Sequence, residues 1–249
     1  MKPIYHVLCA TLLCVAAQTH AAGTSFTDLP TAQWPQISAI NDAPFQQEQF
    51  AGNGFLLEYK KKLYAVTAKH IFILIKSDKI SSIDIGDDLL SQWTMHPNGD
   101  KKNVITLGRL RNADPTEAID FNIVEKDWLF FDVAKNNSRL RPLHLRETSL
   151  QPGEKVFIAG CPYLSAKGCK QNVYAGIFVT TSGPNILLDM GPYDGPPHRF
   201  TGLSGAPVID THGNVVGIVS TEKPNPNGNG TLYAPASVEY AISTLEKIH

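Results

Sequence analysis

Apolar and polar positions along this chain are grouped in short runs and not in helical repeats. Segments such as "GFLLEY", "KLYAVTA", "ITLGRL", "WLFFDV", "EKVFIAG", "YAGIFVTTSG", "NILLDM", "APVID" and "NVVGIVS" are rich in β-branched and aromatic side chains. Those residues fit a pleated surface, so each run predicts a strand. Between them lie turn-forming clusters such as "HPNGD", "GPYDGPP", "THGN" and "NPNGNG". Many short strands without long amphipathic helices between them predict an all-β sandwich or barrel. Two stretches read as helical. "HIFILIK" predicts a turn or two, and "ASVEYAISTLEKI" spaces Val238, Ala241, Ile242 and Leu245 three and four apart. Residues 141–153 are the expected crossing between two halves of the fold. Residues 76–125 carry no signature and are expected to supply loops that shape a cleft.

The first residues stand apart from this pattern. "MKPIYHVLCATLLCVAAQTHAAG" places Lys2 before an apolar stretch and small residues near Ala21 and Ala22. That is the layout of a secretory signal peptide over residues 1–22, leaving 23–249 as the folded unit. The apolar stretch is short for a membrane span, and no later segment approaches one. Cys9 and Cys14 follow Leu8 and Leu13, where a lipoprotein site needs a small residue. An exported protein without stable membrane insertion is expected, periplasmic or secreted.

Composition adds exclusions. A chain of 249 residues with 43% hydrophobic and 18% charged residues is ordinary for a globular fold. A formal net charge of −1 gives no electrostatic footprint for nucleic acid. Removing the leader leaves Cys161 and Cys169 in "GCPYLSAKGC". In an oxidising compartment this pair predicts a disulfide; a metal site is the alternative, though no histidine lies in the loop and the CxxC spacing is absent. His96, His144, His198 and His212 are scattered and no phosphate-binding loop occurs, so no metal and no cofactor is expected.

The candidate chemistry lies in three places. His70 ends an apolar run in "TAKHIF", Asp127 heads one in "DWLFFDV", and Ser204 sits among glycines in "TGLSGAPVID". Taken singly, each has a bland reading: a strand-end histidine, a turn aspartate, the tip of a glycine turn. A serine hydroxyl is unreactive until a base takes its proton and a third group orients that base. The order His, Asp, Ser is that of chymotrypsin-type enzymes, and Ser204 lacks the G-x-S-x-G elbow of the α/β-hydrolases.

The blocks "GNGF…TAKHIF", "DWLFFDV" and "GLSGAPVID-THGNVVGIVS" resemble the signatures of trypsin-like, chymotrypsin-fold serine peptidases, in particular their bacterial exported branch. The resemblance runs from about Asn53 to the C-terminus. It implies two six-stranded antiparallel β-barrels with the cleft between them and a C-terminal helix. It implies that Ser204 attacks a carbonyl, that His70 is its base, and that Asp127 orients His70. The amides of Gly202 and Ser204 would form the oxyanion hole, and Ser220, Thr221 and Glu222 would pair with substrate backbone as an added strand. Asp132 and Asp120 compete with Asp127 for the carboxylate role.

His198 and Arg199 in "PPHRFTG" precede the serine, where this fold places its specificity pocket. They imply a preference for acidic side chains, unless Arg199 faces solvent or pairs with Glu222. Two residues depart from the family pattern. Leu203 replaces the usual Asn or Asp before the serine, so activation by a new N-terminus pairing there is not available. Lys69 stands beside His70 in place of a small residue; pointing inward it would disturb the base, pointing outward it would not. The expected partners are peptide or protein substrates hydrolysed through an acyl-enzyme. An inactive, peptide-binding relative and an esterase on the same constellation are the alternatives. Nothing in the sequence sets an oligomeric state.

Overall fold

A computed structural model describes residues 26–44, 51–162, 171–191 and 201–249. The signal-like leader, Cys169, His198 and Arg199 lie outside the described residues.

The apolar runs form two closed antiparallel barrels of six strands each. The first contains β1 (Ser38–Asp42), β2 (Asn53–Tyr59), β3 (Lys62–Thr67), β5 (Thr94–His96), β6 (Ile105–Leu110) and β8 (Leu129–Asn136), arranged β1-β2-β3-β8-β6-β5. The second contains β9 (Lys155–Gly160), β10 (Asn172–Ser182), β11 (Asn185–Asp189), β12 (Pro207–Asp210), β13 (Val215–Pro224) and β14 (Thr231–Ser237), arranged β10-β11-β14-β13-β12-β9. Closure pairs edge strands that would otherwise be open to other chains. A small ribbon, β4 (Ser82–Ile83) with β7 (Asp114–Ala118), and the one-turn α2 (Asp87–Leu90) occupy the region without signature.

The strands read as runs because most are buried on both faces. Phe55, Leu56, Leu57, Tyr64, Ala65, Val66, Leu129, Phe130 and Phe131 are all fully buried on adjacent strands of the first barrel. In the hairpin joining β2 to β3, Tyr59 faces Lys62, and Lys60 and Lys61 take φ of 47° and 67°. That is the two-residue turn whose twist suits a hairpin, here made without the usual Asn-Gly.

The link between barrels serves both. Leu143 exchanges hydrogen bonds with Leu56 and Glu58 of the first barrel, and Leu145 bridges Val215 of the second. The chain ends in α3 (Val238–Ile248), capped by the Ser237 side chain accepting from the Glu239 amide. Its apolar face buries Val238, Ala241 and Leu245. The helix packs back on the first barrel: Trp128 donates its indole N–H to the Ser237 carbonyl (3.0 Å), and Arg111 donates to the Ile248 carbonyl (2.7 Å).

Candidate active site

His70 sits at the junction of β3 and the short helix α1 (Ile71–Ile75), which it precedes as N-cap. The apolar residues Ile71, Phe72 and Ile75 anchor that helix in the core, leaving the imidazole at the end of the strand. Asp127 follows a 3-10 turn (Phe121–Lys126) and immediately precedes the buried Trp128 and β8. Ser204 comes from the other barrel, in the turn before β12.

The three side chains meet. The His70 Nδ1 lies 2.6 Å from Asp127 Oδ2, and Nε2 lies 2.7 Å from Ser204 Oγ. The carboxylate is an acceptor only, so Nδ1 carries the proton. In the neutral imidazole Nε2 is then unprotonated and accepts from the serine hydroxyl. Asp127 is completely buried, yet its charge is well compensated. Oδ1 accepts from the His70 backbone N–H at 2.7 Å, and Oδ2 also accepts from the Ser220 hydroxyl. These donors offset the desolvation that a lone buried carboxylate would suffer. Burial pulls the His70 pKa down, but the charge of Asp127 and the bond to it outweigh that pull, and the net shift is upward.

The competing carboxylates are engaged elsewhere. Asp132 faces Lys62 at 2.8 Å and Arg111 at 3.7 Å, and the Asp120 side chain accepts from the Asn122 amide to cap the 3-10 turn. Lys69 neither crowds His70 nor reaches solvent. Its side chain, 1% exposed, donates to both oxygens of Glu117 on β7 at 2.9 Å. Its ammonium also lies 5.7 Å from the centre of the Tyr240 ring on α3. The Lys126 ammonium, one residue before Asp127, lies 6.0 Å from the same ring. The two lysines that precede His70 and Asp127 therefore share one aromatic contact on the C-terminal helix.

The serine turn is tightly fixed. Leu203 is fully buried, the Gly205 amide donates to the Val219 carbonyl (3.0 Å), and the Ala206 amide donates to the Leu203 carbonyl (2.8 Å). Gly205 has φ +80°, and a Cβ there would fall 2.2 Å from the Asn53 carbonyl oxygen, so only glycine fits. Gly202, at φ +88°, and Ser204 make no amide hydrogen bond within the described residues. Two amides one residue apart, beside a hydroxyl and without an acceptor among the described residues, are the kind of donors that a developing oxyanion needs.

Ser220, Thr221 and Glu222 continue β13 past its pairing with β12, which reaches Ile218. On one side Thr221 and Glu222 pair with Ala234 and Tyr233 of β14. Among the described residues no strand covers the opposite edge, which leaves backbone available to an extended peptide. Glu222 accepts from the Thr231 hydroxyl at 3.2 Å, while its proposed partner Arg199 lies outside the described residues, as does His198.

Sequence reasoning missed two residues here, Glu117 and Asn53, and one contact of a residue it named, Ser220. Glu117 is the unforeseen partner of Lys69, and the Ser220 hydroxyl bonds Asp127 as well as lying in the expected substrate strand. The trace of Asn53 in the sequence is a polar residue between glycines in "GNGF".

Two closed antiparallel barrels with these side chains gathered between them define a chymotrypsin-like peptidase fold. The chain belongs to the trypsin-like peptidase domain family, whose profile matches residues 52–218. Solved structures of peptidases share the fold at low sequence identity. Kallikrein-related peptidase 10 is 16% identical with a TM-score of 0.55, over 85% of this chain and 94% of that one. A protease from M. tuberculosis in its active form is 17% identical with a TM-score of 0.53, over 100% of this chain and 93% of that one. The serine endoprotease from Yersinia pestis is 16% identical with a TM-score of 0.52, over 86% of this chain. This chain spans 62% of the length of that Yersinia protein. No curated protein matches the sequence.

Proposed function

We propose that the protein is a serine endopeptidase that cleaves peptide bonds through His70, Asp127 and Ser204 by way of an acyl-enzyme. The observation that carries this reading is the position of His70, bonded to Asp127 on one ring nitrogen and to Ser204 on the other. Ser204 Oγ attacks the scissile carbonyl while Nε2 takes its proton. Asp127 holds the imidazole in the required tautomer and stabilises its charged form. The negative charge developing on the carbonyl oxygen is met by the Gly202 and Ser204 amides. The protonated His70 gives its proton to the leaving amine, and water then repeats the cycle on the acyl-enzyme. Substrate backbone lies along Ser220–Glu222 as an added strand.

The ion pair of Lys69 with Glu117 supports an active enzyme over an inactive relative, because that lysine was the sequence feature that threatened the base. The test is reaction of the folded, leader-free protein with a fluorophosphonate probe. Labelling is expected in the wild type and lost in Ser204→Ala and His70→Ala, and incubation with a peptide library is expected to give internal cleavages. A folded wild type that resists the probe and leaves peptides intact overturns this reading; hydrolysis of esters alone redirects it to an esterase.

The leader-like residues 1–22 support export, and with export a Cys161–Cys169 disulfide. Cys161 is buried, and Cys169 lies outside the described residues. Thiol labelling of the native exported protein is expected to find neither cysteine free; labelling of both without reductant removes the claim.

A further inference from the structure

We propose that Asn53 is the positioning residue that holds the oxyanion loop in its working shape, reaching it from the opposite barrel. The inference rests on the reading of Ser204 as nucleophile, and it assigns to the side chain of Asn53 a task that the serine motif does not perform for itself.

Asn53 is the first residue of β2 and is completely buried. Its backbone N–H donates to the Ser204 carbonyl at 2.7 Å, and its own carbonyl accepts from the Thr67 hydroxyl at 2.7 Å. The side chain is equally committed. Oδ1 accepts from the Cys161 amide at 2.9 Å, and Nδ2 donates to the Cys161 carbonyl at 3.1 Å and the Gly202 carbonyl at 2.7 Å. The orientation of the amide follows from these partners, since only an oxygen can meet the Cys161 N–H and only N–H groups can meet two carbonyls.

One residue thus grips two carbonyls that flank Leu203, those of Gly202 and Ser204. The amides offered to the substrate oxygen belong to the same two residues. Gly202 at φ +88° has no side chain to restrain it, and glycine takes positive or negative φ about equally readily. Its orientation therefore needs an outside hold. Leu203 contributes apolar packing, which is not directional. Among the described residues the directional hold on the Gly202 carbonyl is Asn53 Nδ2. With that bond gone, the peptide between Gly202 and Leu203 is free to turn about ψ of Gly202 and φ of Leu203, and the Gly202 and Ser204 amides on either side of it lose their fixed relative orientation.

Asparagine suits the task by shape and by chemistry. An aspartate has the same shape but would set an oxygen against the Gly202 and Cys161 carbonyls, repelling the group it must hold. Serine is too short to reach either. Both substitutions should spare the His70–Asp127 pair, which lies beyond the end of β3 and before the start of β8, and damage the oxyanion hole.

The test compares the wild type with Asn53→Ser and Asn53→Asp, with Asn185→Ala as control. Asn185 is a buried asparagine of the second barrel, bonded to the Ala234 carbonyl at 3.0 Å and outside the proposed machinery. In folded Asn53→Ser, reaction with the fluorophosphonate is expected to slow by about 10²–10³, the usual consequence of losing one oxyanion donor. The pH midpoint of that reaction should stay where the wild type has it, because it reports His70, and KM for a peptide substrate should change far less than kcat. Asn185→Ala should melt earlier and react at the wild-type rate. A folded Asn53→Ser that reacts within about threefold of the wild type overturns the inference. The crystal structure of Asn53→Ser reads the same claim without activity: a Gly202 carbonyl that keeps its wild-type orientation overturns it. A wild type that does not react fails the peptidase reading instead, and the crystal structure then decides the role of Asn53 alone. Where Asn53→Ser does not fold, Asn53→Asp supplies both measurements.

Discussion

At the scale of single residues, one titration governs both turnover and stability, with opposite signs. In the proposed mechanism His70 serves as base only when neutral, and its pKa is held above the ordinary imidazole value. The rate of fluorophosphonate reaction should therefore rise with pH through a midpoint above about 6.5. A group whose folded pKa is raised lends stability that is full below its unfolded pKa and lost as pH rises through the folded value. His96 has the same direction of shift: burial lowers its pKa, while bonds to Asp42 and the Pro97 carbonyl more than restore it. Melting temperature should thus fall as pH rises above about 6.5 while reaction rate climbs. A rate midpoint below 6.5 would contradict the assignment of Nδ1 to Asp127. Asp127→Asn should lower kcat by about 10⁴, because the amide favours the wrong tautomer. It should also move the midpoint downward, since burial then acts without the compensating charge. The His, Asp and Ser positions were legible in the sequence because each sits in a local block. Asn53 was not, because its meaning comes from contacts to Cys161 and Gly202, more than a hundred positions away.

At the scale of elements, the signature-poor region has a structural task that explains the unusual Lys69. The β4–β7 ribbon presents Glu117 to Lys69, Lys76 at the end of α1 donates to the Ile119 carbonyl (3.0 Å), and α3 presents Tyr240 to Lys69 and Lys126. The segments carrying His70 and Asp127 are thereby fastened from two sides. The two members of the ion pair are not equivalent, and this gives a directional prediction. Lys69 is 1% exposed and Glu117 28%. Glu117→Ala leaves an ammonium buried without its carboxylate, a change that typically costs about 3–5 kcal/mol. Lys69→Met leaves a carboxylate that water can reach, so its cost should be smaller, about 1 kcal/mol. Urea denaturation of the two variants should rank them in that order, and equal midpoints would contradict the burial asymmetry. The elements that the sequence concealed share a physical reason. β14 carries Pro235 and small residues, β7 has the composition of a turn in "DPTEA", and β1 ends in Asn-Asp. For β1 and β14 the strand state is imposed by barrel closure, which recruits whatever segment completes the hydrogen-bond ladder, and for β7 by pairing with β4 outside the barrels. β2, β3, β8, β9 and β13 were visible because burial on both faces demands continuous apolar runs.

At the scale of the molecule, the site exists only where two barrels meet, so their mutual fixation is part of the chemistry. The largest apolar cluster does not stop at the boundary. It joins Phe55, Trp93, Trp128 and Phe131 of the first half with Phe157, Ala159, Ile209, Ile218 and Ala236 of the second, and with Val238, Ala241 and Leu245 of α3. Polar contacts reinforce it: Trp128 bonds the Ser237 carbonyl at the start of α3, and Asn53 bonds Cys161 and Gly202. A shared core means that exposing the interface of one barrel strips apolar contacts from the other, so neither half should persist alone. The protein should accordingly unfold in a single transition although it holds two closed barrels. Trp93 and Trp128 lie in the first half, whereas Trp34 packs edge-on against Phe157 of the second, so in a Trp34→Phe variant fluorescence follows the first half while far-UV circular dichroism follows strands of both. In urea the two signals should coincide in midpoint and slope, and the calorimetric enthalpy should match the van't Hoff value. A fluorescence transition separated from the dichroism transition would mean that the barrels unfold independently. In that case the geometry of His70, Asp127 and Ser204 would depend on docking between two stable units and not on one continuous core.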